Sequence, residues 1–472
     1  MITIDEKLWE GDLMNRSGIA KFLTNHLDSV DDIKVLNINA PWGAGKTFFI
    51  EKWCAQIKQT RACVYFNAWQ HDYTGDAFVS LSAVLHEELS KQLHAPDIAA
   101  DMATSFSRKA SRAIIAATPL LAKGIFKKAV GVGLDEIGKC IELDDAAEAA
   151  ESIVESLITN NKKVIESVVD FKCALSSMAS SASINASMKS DLPKSPVYIF
   201  IDELDRCRPT FAIELLERIK HFFDVESCKF IIATDKQQLA CSVKAIYGES
   251  FDSERYLRRF FDAEYMLDST DVSKWVKANV DFGANATTDG ISGKNLAAAH
   301  YNDFITPDKR AVLSGDLDLN SQQIVVLAVA KTFKLSLRDL QKTLRHVMAV
   351  RNNVHGDFNI LLAFYLVCLR EEAVVLYSQV VGESVSNEAW NIIKAKYPSF
   401  YLYTEYKNLD IHEFIIGVLG CFHMSNQETR ARINSLNSLS DDFSRGFYRA
   451  FRDNIAEIKT YPALAELAHS LE

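Results

Sequence analysis

The chain has 472 residues, of which 48% are hydrophobic, so it is long enough for more than one domain and for sizeable buried cores. Its formal net charge of −10 argues against a protein that coats nucleic acid by electrostatics alone. Nine cysteines without a C-x-x-C pair or a histidine cluster indicate neither a zinc site nor a disulfide framework, and the N-terminus lacks a signal-peptide pattern, so we expect a cytoplasmic protein.

Predicted helices and strands alternate over residues 1–95, and the alternation resumes over residues 196–270. Alternation of this kind predicts an α/β fold, in which helices cover both faces of a parallel sheet. These two segments together form one predicted core domain. The predicted strands are 35–40, 62–69, 197–201 and 228–234, and the predicted helices are 17–28, 46–58, 76–93, 210–223 and 236–247.

A glycine-rich turn, Ala40-Pro-Trp-Gly-Ala-Gly-Lys-Thr47, joins the first predicted strand to the helix that follows it. Glycines let successive backbone N–H groups point at an anion, and the helix N-terminus adds positive partial charge. The turn matches G-x-x-x-x-G-K-[ST] except at Ala40, which stands in place of the first glycine. We expect Lys46 to reach the β- and γ-phosphates of a nucleotide and the Thr47 hydroxyl to hold Mg²⁺. The expected nucleotide-binding residues of this turn are Trp42, Gly43, Ala44, Gly45, Lys46, Thr47 and Phe48.

Two adjacent carboxylates, Asp202 and Glu203, end the continuous apolar run that begins at Pro196. Such a run is typical of a central parallel strand, and ligands of these folds bind at the carboxyl ends of the strands. We expect Asp202 to hold Mg²⁺ opposite Thr47. Glu203 is placed to accept a proton from an attacking water as a general base.

A long helical insert is predicted at residues 96–195, because 155 positions separate Thr47 from Asp202. Residues 102–134 contain six basic and no acidic side chains, residues 135–155 are strongly acidic, and the Ser/Ala-rich residues 172–190 look flexible. Within the basic stretch, the longest uncharged run, 113–122, is too short to cross a bilayer. Two alternatives remain: the basic and acidic arms pair as a helical hairpin, or the basic arm makes peripheral contact with an anionic membrane.

Together the two motifs resemble those of the KAP family of P-loop NTPases, over roughly residues 10–350. The resemblance implies an ATPase that binds ATP with Mg²⁺, hydrolyses it slowly and thereby switches conformation or assembly. Because bacterial members of that family include plasmid-borne proteins that exclude phage, it also suggests a role in phage or plasmid exclusion. The family patterns are matched at Trp42-Gly43, at Asn67–Trp69, at Ile201–Cys207, at Tyr256–Arg259 and at Ser336–Asp339.

The remainder of the chain is predicted to be helical, with a lid at residues 271–355 and a C-terminal domain at residues 356–472. The apolar run Leu361–Leu369 predicts a buried helix, and the C-terminal helices are expected to contact a second copy or a partner protein. Arg338, on a helix capped by Ser336, is a candidate lid arginine for the nucleotide.

Two arginines beyond the sheet are candidates for stabilising charge in the transition state. Arg258 and Arg259 match the family pattern, but neighbours on a helix point about 100° apart, so at most one can serve. The alternative interpretation is a solvated helix face.

Three residues at predicted strand ends complete the candidate site. Thr234 is expected to sense the γ-phosphate or orient water, while Asp235 beside it fits a simple helix N-cap. Asn67 is expected to orient Glu203 or a water molecule, and Trp69 is expected to lie in the core.

Two other classes of function stay open from the sequence. One is a nucleotide-gated scaffold that binds ATP, scarcely turns it over and holds a partner. The other is a DNA-stimulated ATPase, although the acidic charge balance does not favour nucleic acid as a partner.

Overall fold

The computed structural model describes residues 7–93, 100–113, 146–190, 193–268, 272–287, 319–382, 386–397, 401–403, 408–437 and 455–470. The chain divides into two compact units. Unit 1 is Met1–Asp268 and unit 2 is Ser269–Glu472.

Unit 1 is built on a five-stranded parallel sheet of order β2-β3-β4-β1-β5, which confirms the predicted α/β fold. In its register Asn67 lies opposite Asp202, and Asn39 lies opposite Thr234. Polar residues from four strand ends therefore share one edge of the sheet. The strands are β1 (Val35–Asn39), β2 (Cys63–Asn67), β3 (Val197–Asp202), β4 (Cys228–Thr234) and β5 (Ala263–Met266).

Helices cover both faces of this sheet. Successive side chains of β3 point alternately to one face and to the other. Tyr198 and Phe200 pack on one face with α1 and α2, where the ring of Trp53 lies 5.1 Å from that of Phe200. Ile199 and Ile201 pack on the other face. The helices of unit 1 are α1 (Arg16–Ser29), α2 (Lys46–Lys58), α3 (Ala68–His71), α4 (Ala77–Ser90), α5 (100–113), α6 (Ala146–Ser190), α7 (Pro209–Phe222), α8 (Lys236–Tyr247) and α9 (Ser253–Leu257).

The described part of the insert packs into the core of unit 1 through α5 and α6. The ring of Phe171 lies 5.3 Å from that of Phe106 and 5.0 Å from that of Phe78. Leu175 and Met178, one and two turns further along α6, are fully buried. The prediction that residues 172–190 are flexible was therefore wrong, because their small side chains let α6 approach its neighbours closely. The junction of the basic and acidic arms, residues 114–145, lies outside the described residues.

The described part of unit 2 is mostly helical and packs around a hydrophobic core whose residues run from Val272 to Ala468. This core includes residues on both sides of the boundary that we predicted between 355 and 356. Ile360–Leu369 is buried, in agreement with the predicted buried helix. Across the described ranges of both units, no helix combines the length and the apolar character that a membrane span requires.

The elements of unit 2 are short apart from a few central helices. Its helices are α10 (Ser273–Asn279), α11 (Ser321–Thr332), α12 (Leu337–Asn352), α13 (Ile360–Glu372), α14 (Val374–Val381), α15 (Asn387–Lys396), α16 (Ile411–Leu419), α17 (Asn426–Asn437), α18 (Ile455–Ile458) and α19 (Tyr461–His469). Its strands are a parallel pair, β6 (Ala286–Thr287) and β7 (Phe358–Asn359), and an antiparallel pair, β8 (Tyr401–Tyr403) and β9 (Asn408–Asp410).

The packing of α6 is tested by truncating one of its buried side chains. Leu175→Ala should lower the free energy of unfolding by about 2–5 kcal/mol, because a fully buried leucine leaves a cavity that neighbouring helices fill only in part. Ser177→Ala, at an exposed position of the same helix, should change it by less than about 0.5 kcal/mol. Urea denaturation followed by circular dichroism measures both, and equal effects would contradict the packing.

Candidate functional site

The glycine-rich turn between β1 and α2 has the backbone that an anion cradle needs. Gly43 and Gly45 both have φ of 82°, in the left-handed region where a side chain would be strained. The Ala40 N–H donates to the Thr234 carbonyl at 3.1 Å, which fixes the start of the turn to β4. The first N–H groups of an α-helix have no partners within the helix, so those of α2 can donate to an anion held in the turn.

Lys46 is the first residue of α2, and its ammonium folds back into the turn. It donates to the carbonyls of Ala40 at 2.7 Å and Pro41 at 3.4 Å, and it lies 3.6 Å from the Asp205 carboxylate. The side chain is only 9% exposed. The Lys46 ammonium is therefore bound by carbonyl groups of the turn itself.

Phe48 and Ala44 support the turn from the side of α1. Ala44 is fully buried, and the Phe48 ring meets the ring of Trp9 edge-on at 6.4 Å. Arg16, which the sequence analysis did not select, is buried and donates to the Ala44 carbonyl at 3.0 Å. Burial lowers the pKa of Arg16. No local motif marks Arg16, because its contact lies 28 residues along the chain.

Asp202 and Thr47 face each other across the sheet edge. Asp202 is 1% exposed and accepts hydrogen bonds from the Glu203 N–H at 2.8 Å and from the Tyr65 hydroxyl at 3.3 Å, and the Thr47 hydroxyl interacts with the same carboxyl group. Burial raises the pKa of Asp202, and the bonds from Thr47 and Glu203 partly oppose that shift. A buried carboxylate beside a hydroxyl is a donor set that fits Mg²⁺.

Glu203 has a strained backbone and a doubly held side chain. Its φ of 61° and ψ of 26° lie in the left-handed region, which is rare for a residue with a Cβ. One carboxylate oxygen accepts from the Asn67 amide at 3.1 Å, and the other pairs with Arg206 at 2.7 Å. The strained turn thus carries Glu203 next to Asp202 while Asn67 and Arg206 fix its orientation.

Asn67 itself is fixed at both ends of its amide. Its oxygen accepts from the Gln70 N–H at 3.1 Å and so caps α3, while its nitrogen donates to Glu203. Trp69 follows in α3 and is 54% exposed, so the prediction that it lies in the core was wrong. Because the strand ends at Asn67, the chain turns outward there, and the Trp69 ring lies 5.9 Å from the Arg206 guanidinium.

Asp205 is a second residue that the sequence analysis did not select. One of its oxygens accepts from the Trp42 indole N–H at 2.6 Å and from the Asp235 N–H at 3.0 Å. The same oxygen lies 3.6 Å from the Lys46 ammonium. Asp205 stands in the sequence as the third acidic residue of Asp202-Glu203-Leu-Asp205, but only the fold shows which groups its side chain contacts.

Thr234 and Asp235 lie beside this network at the end of β4. The Thr234 hydroxyl is buried and donates to Asn37 of β1 at 2.8 Å. Asp235 caps α8 by accepting from Gln237 and Gln238, and it also accepts from the Trp42 N–H at 3.2 Å. The N-cap interpretation of Asp235 is confirmed, and contact of Thr234 with a phosphate stays a prediction.

Two of the candidate arginines, Arg258 and Arg259, belong to unit 1 and the third, Arg338, belongs to unit 2. Arg258 and Arg259 follow α9 and are both exposed, and in the described ranges neither bonds to Lys46, Asp202 or Glu203. Arg338 is exposed in the first turn of α12, in unit 2. Roles for these arginines at a nucleotide stay predictions.

Comparison with known protein families agrees with the geometry. The family model described as the KAP family P-loop domain matches residues 16–352, which include the glycine-rich turn and the carboxylates that follow β3. No curated protein matches the chain.

The raised pKa of Asp202 has a measurable consequence for stability without ligand. An acid whose pKa is raised in the folded state destabilises that state as pH rises from its unfolded pKa of about 4, and the loss is constant above the folded pKa. Asp202→Asn should therefore raise Tm at pH 7 by a few degrees, and the gain should vanish below about pH 4. Asp224→Asn is the matched control, since the Lys34 hydrogen bond lowers the pKa of Asp224 and predicts the opposite sign. Thermal unfolding across pH measures both, and a less stable Asp202→Asn at pH 7 would contradict the argument.

Proposed function

Because the chain belongs to the KAP family of P-loop NTPases, we propose that unit 1 binds ATP with Mg²⁺ and hydrolyses it to ADP and phosphate. The observation that carries the proposal is the meeting of two motifs at one sheet edge. Lys46 and Thr47 open α2 on one side, and Asp202 and Glu203 end β3 on the other. The Thr47 hydroxyl lowers the pKa of the Asp202 carboxyl, so side chains of the two motifs interact at this edge.

Nucleotide binding would exchange contacts that Lys46 already makes. The ammonium bonds to the Ala40 and Pro41 carbonyls, which are neutral acceptors. Phosphate oxygens carry full negative charge and accept stronger hydrogen bonds, so they would displace these carbonyls. The left-handed Gly43 and Gly45 and the open N-terminus of α2 would add backbone donors to the same anion.

Thr47 and Asp202 would hold the Mg²⁺ ion, which neutralises phosphate charge when bound. The ion would also offset the cost that burial imposes on ionised Asp202. Glu203 would accept the proton of the attacking water, with its carboxylate positioned by Asn67.

Slow turnover is part of the proposal because both oxygens of Glu203 are engaged. Arg206 and Asn67 each engage one oxygen of Glu203, so an attacking water must compete with two donors for the remaining lone pairs of the carboxylate. This observation also favours the second candidate, a nucleotide-gated scaffold with little turnover. In either case nucleotide state would change the conformation of the chain or its assembly, in a process such as phage or plasmid exclusion, which rests on the family resemblance.

Two substitutions separate binding from chemistry. Lys46→Ala should weaken ATP binding by about 10- to 100-fold, because it removes a charged donor to the phosphates. Glu203→Gln should leave binding unchanged and lower the hydrolysis rate by about 10²- to 10⁴-fold, because the amide keeps the shape but cannot accept the proton. Titration with a fluorescent ATP analogue and a phosphate-release assay measure the two effects.

Lys58→Ala serves as the control, since it removes an exposed lysine from the far end of the same helix. Equal ATP affinity in Lys46→Ala and Lys58→Ala would contradict the nucleotide site. Equal turnover in Glu203→Gln and wild type would favour the scaffold.

A further inference from the structure

Three side chains from three helices of unit 2 converge at one point that the nucleotide site does not use. His346 comes from α12, Glu371 from α13 and His469 from the last position of α19. Each offers one metal-ligating atom, and these three atoms all lie within 4.8 Å of one another. The two imidazole rings meet edge-on, with centroids 5.9 Å apart.

The carboxylate of Glu371 is held in a fixed orientation. One oxygen lies 2.6 Å from Nδ1 of His346, and the other accepts from the Thr343 hydroxyl at 2.5 Å. Thr343 is fully buried and lies one turn before His346 on α12. A hydrogen bond of this kind, from a neighbour to the second oxygen of a carboxylate, is what orients carboxylate ligands in metal sites.

His469 has a buried ring nitrogen whose state the hydrogen bond between His346 and Glu371 does not explain. Its Nδ1 is buried, and among the described residues none bonds to it. A buried polar atom without a partner destabilises the fold, so such atoms are rare unless a water molecule or an ion completes them. Here the imidazole lies beside a second imidazole and a carboxylate.

We propose that His346, Glu371 and His469 bind a first-row transition-metal ion, with Zn²⁺ the best match. Two imidazoles with one carboxylate suit Zn²⁺, whereas Mg²⁺ and Ca²⁺ prefer oxygen ligands only. Ligand atoms around a tetrahedral Zn²⁺ at about 2.0–2.1 Å are about 3.3 Å apart, so the His346–Glu371 pair needs only a small outward shift. Three protein ligands leave the fourth position to water.

The ion acts as a clamp on the C-terminal helix. α12 and α13 belong to the centre of the unit 2 core, while α19 ends close to the C-terminus of the chain. Bonds from one ion to all three helices hold α19 in place and satisfy the buried nitrogen of His469. Metal binding is then coupled to the stability of unit 2.

The test measures the Zn²⁺ retained per chain by elemental analysis. The whole chain is first dialysed against a metal-free buffer and then against Zn²⁺. Wild type should retain one Zn²⁺ per chain, and His469→Gln should lose it. His423→Gln, which removes an exposed histidine of the same unit, should retain the ion. A chelator should lower Tm of wild type and His423→Gln but leave His469→Gln unchanged.

Thr343→Val gives a second readout, because it keeps the side-chain shape and removes only the hydrogen bond to Glu371. It should weaken Zn²⁺ binding by about 10- to 100-fold in competition with a chromophoric chelator. If His469→Gln fails to fold, the wild-type titration alone decides. No retained Zn²⁺, a wild-type Kd weaker than about 10 μM, or equal retention in a folded His469→Gln would overturn the proposal.

Discussion

The site in unit 1 depends on one buried carboxylate, that of Asp205. A single oxygen accepts the Trp42 indole N–H and the Asp235 N–H, and it lies 3.6 Å from the Lys46 ammonium. These partners come from the glycine-rich turn and from the start of α8, while Asp205 belongs to the turn after β3. The carboxylate thus ties three separate segments together at the carboxyl edge of the sheet. In a low-dielectric setting such a network strengthens its members and makes a missing one costly.

This constraint explains how the site is ready for an anion before one arrives. The turn is fixed by Asp205 and by the bond from Ala40 to Thr234, so its shape does not depend on a ligand. Lys46 has only to exchange carbonyl partners for phosphate oxygens. On the other side, Glu203 carries backbone strain that the surrounding bonds maintain, which is typical of residues positioned for chemistry.

The sequence predicted the parts of the molecule that local pattern determines. β4 and α8 begin and end where the apolar run and the Asp235 cap indicate. The glycines of the turn likewise predict its backbone conformation. Packing decided the rest. The serine and alanine residues of α6 suggest a flexible stretch in the sequence, but in the fold they pack against neighbouring helices. Trp69 turns outward because β2 ends two residues earlier. The cluster of His346, Glu371 and His469 has no sequence spacing that marks it, since three separate helices bring it together.

Substitution of Asp205 tests the central claim that its hydrogen bonds shape the nucleotide site. Asp205→Asn keeps an oxygen that can accept from Trp42 and Asp235, whereas Asp205→Ala leaves both donors without this acceptor. Isothermal titration with Mg-ATP should give Asp205→Asn an affinity within a few-fold of wild type, and Asp205→Ala an affinity weaker by about 10-fold or more. Wild-type affinity in Asp205→Ala, with the fold intact by circular dichroism, would contradict the account.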